Sequence, residues 1–224
     1  MDAFPQLKLD DNLLLNGERR LPCVILADRS YSMTGEKIDR LNKGLELFSR
    51  EVSSDLMALK RVETAIVSFG PANVEQEFAT MDQISMPILD ADNDTPMGGA
   101  IIKGLDLIKA RQNDYRKAKV PSYKPWIFLI TDGAATDDTT NAARLIRDRE
   151  AQNKLNFFSI GVEGADFQGL KNLSTRPPIA LEGNNFEDLF EFVSIVMSSI
   201  AASRPGDAID IPNPEAIGLG KVVV

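Results

Sequence analysis

Carboxylates and hydroxyls at short spacing define the chemistry open to this chain. An apolar run, Cys23-Val-Ile-Leu-Ala27, stops at Asp28, and hydroxyls follow on alternate positions at Ser30 and Ser32. A buried strand that ends in Asp-x-Ser-x-Ser can direct three oxygen donors into one small volume, and hard cations bind such oxygens. A plainer role suits the same residues, because serine caps a following helix well and aspartate ends strands in turns. Two further stretches bear on the choice. Thr95 lies in Asn93-Asp-Thr-Pro96, a loop-to-helix entry, and Asp132 follows a second apolar run, Trp126-Ile-Phe-Leu-Ile-Thr131, before Gly133. Together the three loops offer carboxylate and hydroxyl oxygens without nitrogen or sulfur, a donor set suited to Mg²⁺ or Mn²⁺, with Ca²⁺ the remaining candidate. Two carboxylates about 5 Å apart repel by about 3 kcal/mol at an effective dielectric near 20, and a dication relieves that repulsion.

Composition removes several other chemistries. The 224 residues include no histidine, which excludes serine-histidine-aspartate and cysteine-histidine catalysis and every zinc site built on imidazole. Formal net charge is -8, and the basic residues are scattered rather than gathered in a stripe, so neither nucleic acid nor an anionic membrane surface is an expected partner. The one cysteine, Cys23, cannot form an internal disulfide and fits a reducing compartment as a small core side chain. Residues 1–20 carry Asp2, Asp10, Asp11 and Glu18 without an apolar core, unlike a secretory signal, and no run reaches the roughly 20 apolar residues of a spanning helix. A cytoplasmic location is the expectation.

The elements that must position these loops follow from hydrophobic patterning. Leu21 to Asp28 and Trp126 to Thr131 are unbroken apolar strands, as in a parallel sheet covered on both faces. Apolar residues from Ile38 to Leu59 recur at three- and four-residue steps and predict one long amphipathic helix. Val62 to Phe69 and Val74 to Phe78 predict a hairpin that ends in an edge strand. Helices are expected near 101–108, 140–153, 167–173 and 186–200, with strands at Phe157 to Val162 and Ile179 to Leu181, the last strand of the sheet. Strands alternating with helices imply an α/β fold: a doubly wound, mostly parallel sheet with one antiparallel edge strand and helices on both faces. Ligands of such sheets bind at the carboxyl ends of the strands. Residues 1–20 are expected as an extended lead-in or edge hairpin, 21–203 as the domain, and 204–224 as a proline-containing tail whose apolar residues pack on the domain or on a partner.

Asp28-x-Ser30-x-Ser32, Thr95 and Asp132, in that order, resemble the von Willebrand factor A domain with its metal-ion-dependent adhesion site. The resemblance covers about residues 20–202 and implies that Ser30, Ser32 and Thr95 are hydroxyl ligands, with Asp28 and Asp132 binding the ion directly or through water. It also implies a coordination position left open for a partner's carboxylate. Two residues depart from the family pattern: Tyr31 stands where glycine is frequent and Arg29 where a small residue is common. Both are expected near the metal face, Arg29 pairing with a partner's acid, quieting local negative charge or simply solvated, and Tyr31 as an aromatic contact or packed on a neighbouring loop.

Within the family the chain resembles stand-alone bacterial domains of the tellurite-resistance (TerY-like) type, beginning at Arg19-Arg-Leu-Pro22. That implies a non-enzymatic module in a stress or signalling complex with a serine/threonine kinase and a PP2C-type phosphatase. An adaptor for a MoxR- or chelatase-type AAA+ ATPase is the alternative binding role. The contrasting class is a Mg²⁺-dependent phosphohydrolase with Asp28 as nucleophile, but that chemistry usually wants a second carboxylate two residues on, where Ser30 stands. Gly98-Gly99 and Gly104 lack a P-loop's ending and are expected to serve close helix packing. Thr136, Thr139 and Thr140 suit a helix cap better than phosphorylation or partner contact. Lys117, Lys119 and Lys124 are expected to be a solvated loop, and Phe186, Phe190 and Phe192 core packing.

Overall fold

The computed structural model describes residues 16–204, together with Leu13 and the backbone of 220–222. In chain order the elements are β1 (Leu21–Asp28), α1 (Glu36–Ser54), α2 (Leu56–Arg61), β2 (Val62–Phe69), β3 (Asn73–Thr80), α3 (Met97–Ala118), β4 (Trp126–Thr131), α4 (Thr140–Ala151), β5 (Asn156–Gly161), α5 (Phe167–Lys171), β6 (Ile179–Leu181), α6 (Phe186–Ala202) and β7 (Gly220–Val222). Alternate side chains of β1 enter two separate cores. Cys23, Ile25 and Ala27 pack with α1 and α6 residues such as Leu41, Leu45, Phe48 and Phe190, whereas Val24 and Leu26 pack with Ile101, Leu105 and Ile146 of α3 and α4. This two-sided burial explains the unbroken apolar run, since neither face of the strand meets water. Burial also pushes the Cys23 thiol far above its ordinary range, which makes it an inert core group.

The strands form one sheet in the order β3-β2-β1-β4-β5-β6-β7. β2, β1, β4, β5 and β6 run parallel, and β3 pairs antiparallel with β2 at one edge. The expected doubly wound, mostly parallel sheet is therefore present. At the opposite edge the structure differs from the single antiparallel edge strand expected: residues 220–222 pair antiparallel with β6, so Ile179–Leu181 is not the last strand. Three residues are too few for a period-2 pattern to mark. The lead-in expected over 1–20 otherwise falls largely outside the described residues, as does most of the tail.

The long helix expected from Ile38 to Leu59 is two helices. Asp55 leaves the helical region at φ -96°, ψ 113°, and its carboxylate accepts from the Met57 and Ala58 backbone N–H groups, capping α2. A local cap outcompetes the continuing apolar period, and Leu56, counted in that period, is exposed. α1 packs along α6, with the Phe48 and Phe190 rings 6.0 Å apart between centroids. Gly44 makes the approach possible: a Cβ there would lie 2.4 Å from Phe190 Cδ2 and 3.1 Å from the Phe186 carbonyl oxygen. Alanine gains about 1 kcal/mol of helix propensity over glycine, while overpacking costs about 1–3 kcal/mol. Gly44→Ala is therefore expected to lower the urea midpoint, because a ring wedged against Phe48 has little room to move. An unchanged or raised midpoint would show that α6 shifts freely.

At the amino end of the strands, away from Asp28, Glu63 of β2 is fully buried. Its Oε2 accepts from Arg111 Nε at 2.6 Å and from the Tyr115 hydroxyl at 2.6 Å, and its Oε1 is ion-paired with Arg20 Nε at 3.1 Å. Arg20 also donates to the Lys60 and Asn16 carbonyls. Burial, reinforced by the Glu63 charge, pushes the Tyr115 hydroxyl well above its ordinary range, so it stays a donor.

Candidate functional site

β1 is followed by β2 on one side of it in the sheet, and β4 by β5 on the other, so the chain leaves the adjacent carboxyl ends of β1 and β4 in opposite directions. That divergence opens a crevice at the sheet edge, the usual place for a ligand in an open α/β sheet. Asp28, the last residue of β1, is fully buried beneath it. Its Oδ1 accepts the Ser30 N–H at 2.8 Å and its Oδ2 accepts the Thr131 hydroxyl from β4. Above it Ser30 Oγ lies 3.1 Å from Ser32 Oγ, and Ser32 Oγ donates to Asp132 Oδ1 at 2.6 Å across 100 positions of sequence. Thr95, 6% exposed, completes the group: Gly133 lies between hydroxyls, its missing Cβ 3.7 Å from Thr95 Oγ1 and 4.0 Å from Ser32 Oγ. The structure thus brings Asp28, Ser30, Ser32, Thr95 and Asp132 to one end of β1 and β4. Ser30 does not cap the 3-10 turn Tyr31–Met33 with its side chain.

Two buried carboxylates in one crevice make the local electrostatics unfavourable. Desolvation raises the Asp28 pKa, the hydrogen bonds from Ser30 and Thr131 pull it partly back, and the nearby Asp132 charge raises it again. Lys37, in the first turn of α1, opposes this charge: its Nζ donates to Asp132 Oδ2 at 2.6 Å and to the Glu163 carbonyl at 3.0 Å. One ammonium against two carboxylates leaves a net negative pocket lined by hydroxyls. Such an oxygen set fits a hard divalent cation. Among the described residues no three His, Cys, Asp or Glu side chains gather, so any cation here depends on the hydroxyls as much as on the acids.

Of the two flanking residues, Arg29 makes contacts that adjacency in sequence does not suggest. Arg29 turns to the β2–β3 hairpin and to the segment after β3: Nε donates to Ser68 Oγ at 3.2 Å, with Glu75 at 4.0 Å, and Nη1 donates to the Asp90 carbonyl at 3.0 Å. Several directed acceptors there offer a guanidinium more than open solvent does. Its backbone joins in, donating to the Phe69 carbonyl and accepting from Asp92 N–H at 2.7 Å. Arg29 thereby straps down the segment that leads to Thr95. Tyr31 is 75% exposed at the rim, its N–H bound to the Asn93 carbonyl.

Thr136 and Asp137 hold the third loop. The Thr95 N–H donates to Thr136 Oγ1, and the Thr136 N–H returns to the Thr95 carbonyl at 2.9 Å. Asp137 accepts the Gly98 and Gly99 N–H groups at 2.8 Å each, filling the amino terminus of α3 with an internal carboxylate. Gly98 therefore serves loop approach rather than helix packing, a Cβ there lying 2.6 Å from the Asp138 carbonyl oxygen; Gly104 does pack closely, against Leu26. The helix caps expected from the threonines come from aspartates, because Thr139 makes no side-chain cap and Asp138 accepts the Thr140 N–H. Lys37 and the Thr136–Asp137 clasp have no counterpart among the sequence expectations. The one signal for Lys37 was a cation in the first turn of a helix, where the helix dipole disfavours it. A cleft of about 220 Å³ bounded by Met97, Gly133, Ala135, Asp137, Asp166 and Leu170 adjoins the group.

A mostly parallel α/β sheet with oxygen-bearing loops at its switch point, on the carboxyl side of the strands, defines a Rossmann-like domain. The von Willebrand factor type A domain description matches residues 23–195, and the chain belongs to that family. Domains of this family are commonly protein-interaction modules. The chain is 25% identical over 192 residues to the human collagen alpha-6(VI) chain, covering 84% of this chain and 8% of the collagen chain. It is 23% identical over 173 residues to the human collagen alpha-5(VI) chain, covering 74% and 6%. The chain thus spans less than a tenth of the length of these relatives. Among solved structures, the pilus adhesin SpaC from Lactobacillus rhamnosus GG superposes with a TM-score of 0.65 at 11% identity, covering 81% of this chain and 30% of that one. The ArnB paralog VWA2 from Sulfolobus acidocaldarius gives 0.55 at 20% identity, covering 80% and 45%. At these identities the structural likeness concerns the fold. Among the described residues no helix is long and apolar enough to cross a membrane.

Proposed function

We propose that this domain is a metal-dependent protein-binding module. Asp28, Ser30, Ser32, Thr95 and Asp132 would hold a divalent cation, Mg²⁺ or Mn²⁺ with Ca²⁺ as the alternative, and a carboxylate from a protein partner would complete its coordination. The observation that carries the reading is the convergence of three loops on one point, read most directly in the 2.6 Å bond from Ser32 to Asp132. When bound, the ion supplies a Lewis-acidic positive centre that an acidic partner side chain recognises. The remaining work falls to the chain's own residues. Ser30 N–H and Thr131 fix the Asp28 carboxylate, Arg29 and Thr136 hold the loop of Thr95 in register, and Tyr31 offers an exposed aromatic contact at the rim.

The same geometry speaks for a non-enzymatic role. Both oxygens of Asp28 are engaged by donors beneath the crevice, and Ser30 cannot act as a paired acid and base, so in-line attack on a phosphate has little support. We take the partner to be a protein of the kinase and PP2C-phosphatase set implied by the tellurite-type resemblance, in the cytoplasm, and not nucleic acid. The immobilised domain is expected to retain such a partner in Mg²⁺ and to release it in EDTA, with Thr95→Ala failing to capture it at all. Retention of the partner in EDTA would overturn the metal-dependent reading and place the interface elsewhere.

A further inference from the structure

We propose that Lys37 is a resident competitor cation that keeps the crevice assembled without a metal and holds its affinity for divalent ions down. The inference rests on the metal-binding reading of the same residues. Asp132 is the one acid of the group that comes from β4's loop, and both its oxygens are already used: Oδ1 by the Ser32 hydroxyl and Oδ2 by Lys37 Nζ, each at 2.6 Å. The Asp132 side chain is fully shielded from water while that of Lys37 is 24% exposed, so the ammonium lies over the carboxylate from the solvent side. A second bond, to the Glu163 carbonyl at 3.0 Å, ties the amino end of α1 to the segment after β5. Lysine suits this task because a compact charge on a flexible stem can withdraw when a stronger charge arrives, whereas a bidentate arginine would hold its carboxylate more rigidly.

Two consequences follow from charge alone. Without an ion, Lys37 offsets one of the two buried carboxylates, so the loops need no metal to stay together. With an ion, a dication placed among Asp28, Ser32 and Asp132 meets a neighbouring positive charge and must displace it from Asp132 or bind beside it, and either course weakens binding. The module then responds to changes in divalent-ion level rather than remaining saturated. Substitutions that remove the charge have opposite effects on two quantities: the metal-free protein loses stability while its affinity for the ion rises. A purely structural lysine would move both downward, because a loosened site binds its ion less well.

The test is calorimetric titration of the full chain with MnCl₂ and MgCl₂, alongside melting in EDTA, for the native protein, Lys37→Met and Lys37→Gln. Glutamine keeps a donor for Asp132 or the Glu163 carbonyl without the charge, so it carries the test where methionine prevents folding. At least tenfold tighter binding by the neutral variants, with a lower melting temperature in EDTA, is the result expected. Equal or weaker binding by both variants would overturn the role of Lys37 while leaving the metal-binding reading in place. Absence of binding in the native protein and in both variants would overturn both.

Discussion

Glu63→Ala should cost the domain about 3–5 kcal/mol, the range typical when one partner of a buried ion pair is removed. Glu63 accepts from Arg111 and the Tyr115 hydroxyl and is ion-paired with Arg20, and all of these side chains are buried. Truncation leaves two guanidiniums in a low-dielectric pocket with their common carboxylate gone, which is costlier than losing the pairing energy alone. The cluster also joins separate pieces of chain, since Arg20 enters from ahead of β1 and holds the Lys60 carbonyl at the end of α2. A domain of this size loses about 2–4 °C of melting temperature per kcal/mol, so a drop of about 6–20 °C is expected in calorimetry. Glu63→Gln keeps hydrogen bonds but not the charge and should lie between the two. A fall of less than 2 °C for the alanine variant would mean that the arginines find water or other acceptors, and that the cluster does not hold the amino end of the sheet.

Asp28→Asn should separate stability from binding. Burial holds the Asp28 pKa above its ordinary value of 3.8, so its favourable contribution to folding is complete below that value and is lost as pH rises through the raised pKa. At neutral pH the ionised carboxylate is therefore a burden on the metal-free fold. Asparagine removes the charge and can still accept from Ser30 N–H while its amide meets Thr131. In EDTA at pH 7 the variant should melt at or above the native temperature, the difference closing as the pH is lowered towards 3.8 and below. With Mg²⁺ at a hundred times its dissociation constant, the native protein should gain about 2.7 kcal/mol, and the variant nothing. That corresponds to a shift of about 5–11 °C in one protein and none in the other. Equal shifts in both would remove Asp28 from the cation site.

The sites of these two predictions were unequally legible. Asp28, Ser30 and Ser32 were visible because they stand together where an apolar run stops, and Asp132 because it stops a second such run. Glu63 gave no sign, lying in a strand that otherwise reads as plain core, with its arginines 43 positions before it and 48 after it. Adjacency in sequence puts Arg29 at the metal face, yet successive residues leaving a strand point to different sides, and Ser68 of β2 and the Asp90 carbonyl supply its acceptors. The apolar period through Leu56 suggested one helix because periodicity records burial and not the competing cap at Asp55.

What the sequence determined by itself was the alternation of strands and helices, and with it the doubly wound sheet and the edge at which its loops gather. Apolar patterning is a local property, and the handedness of strand-helix-strand crossovers leaves few ways to assemble it. Tertiary structure alone decided which residues surround the convergent oxygens: Thr131 beneath Asp28, Thr136 clasping Thr95, and Lys37 seated on Asp132. Those contacts join positions 41 to 103 apart, and their energies depend on burial and direction, which no spacing along a chain records.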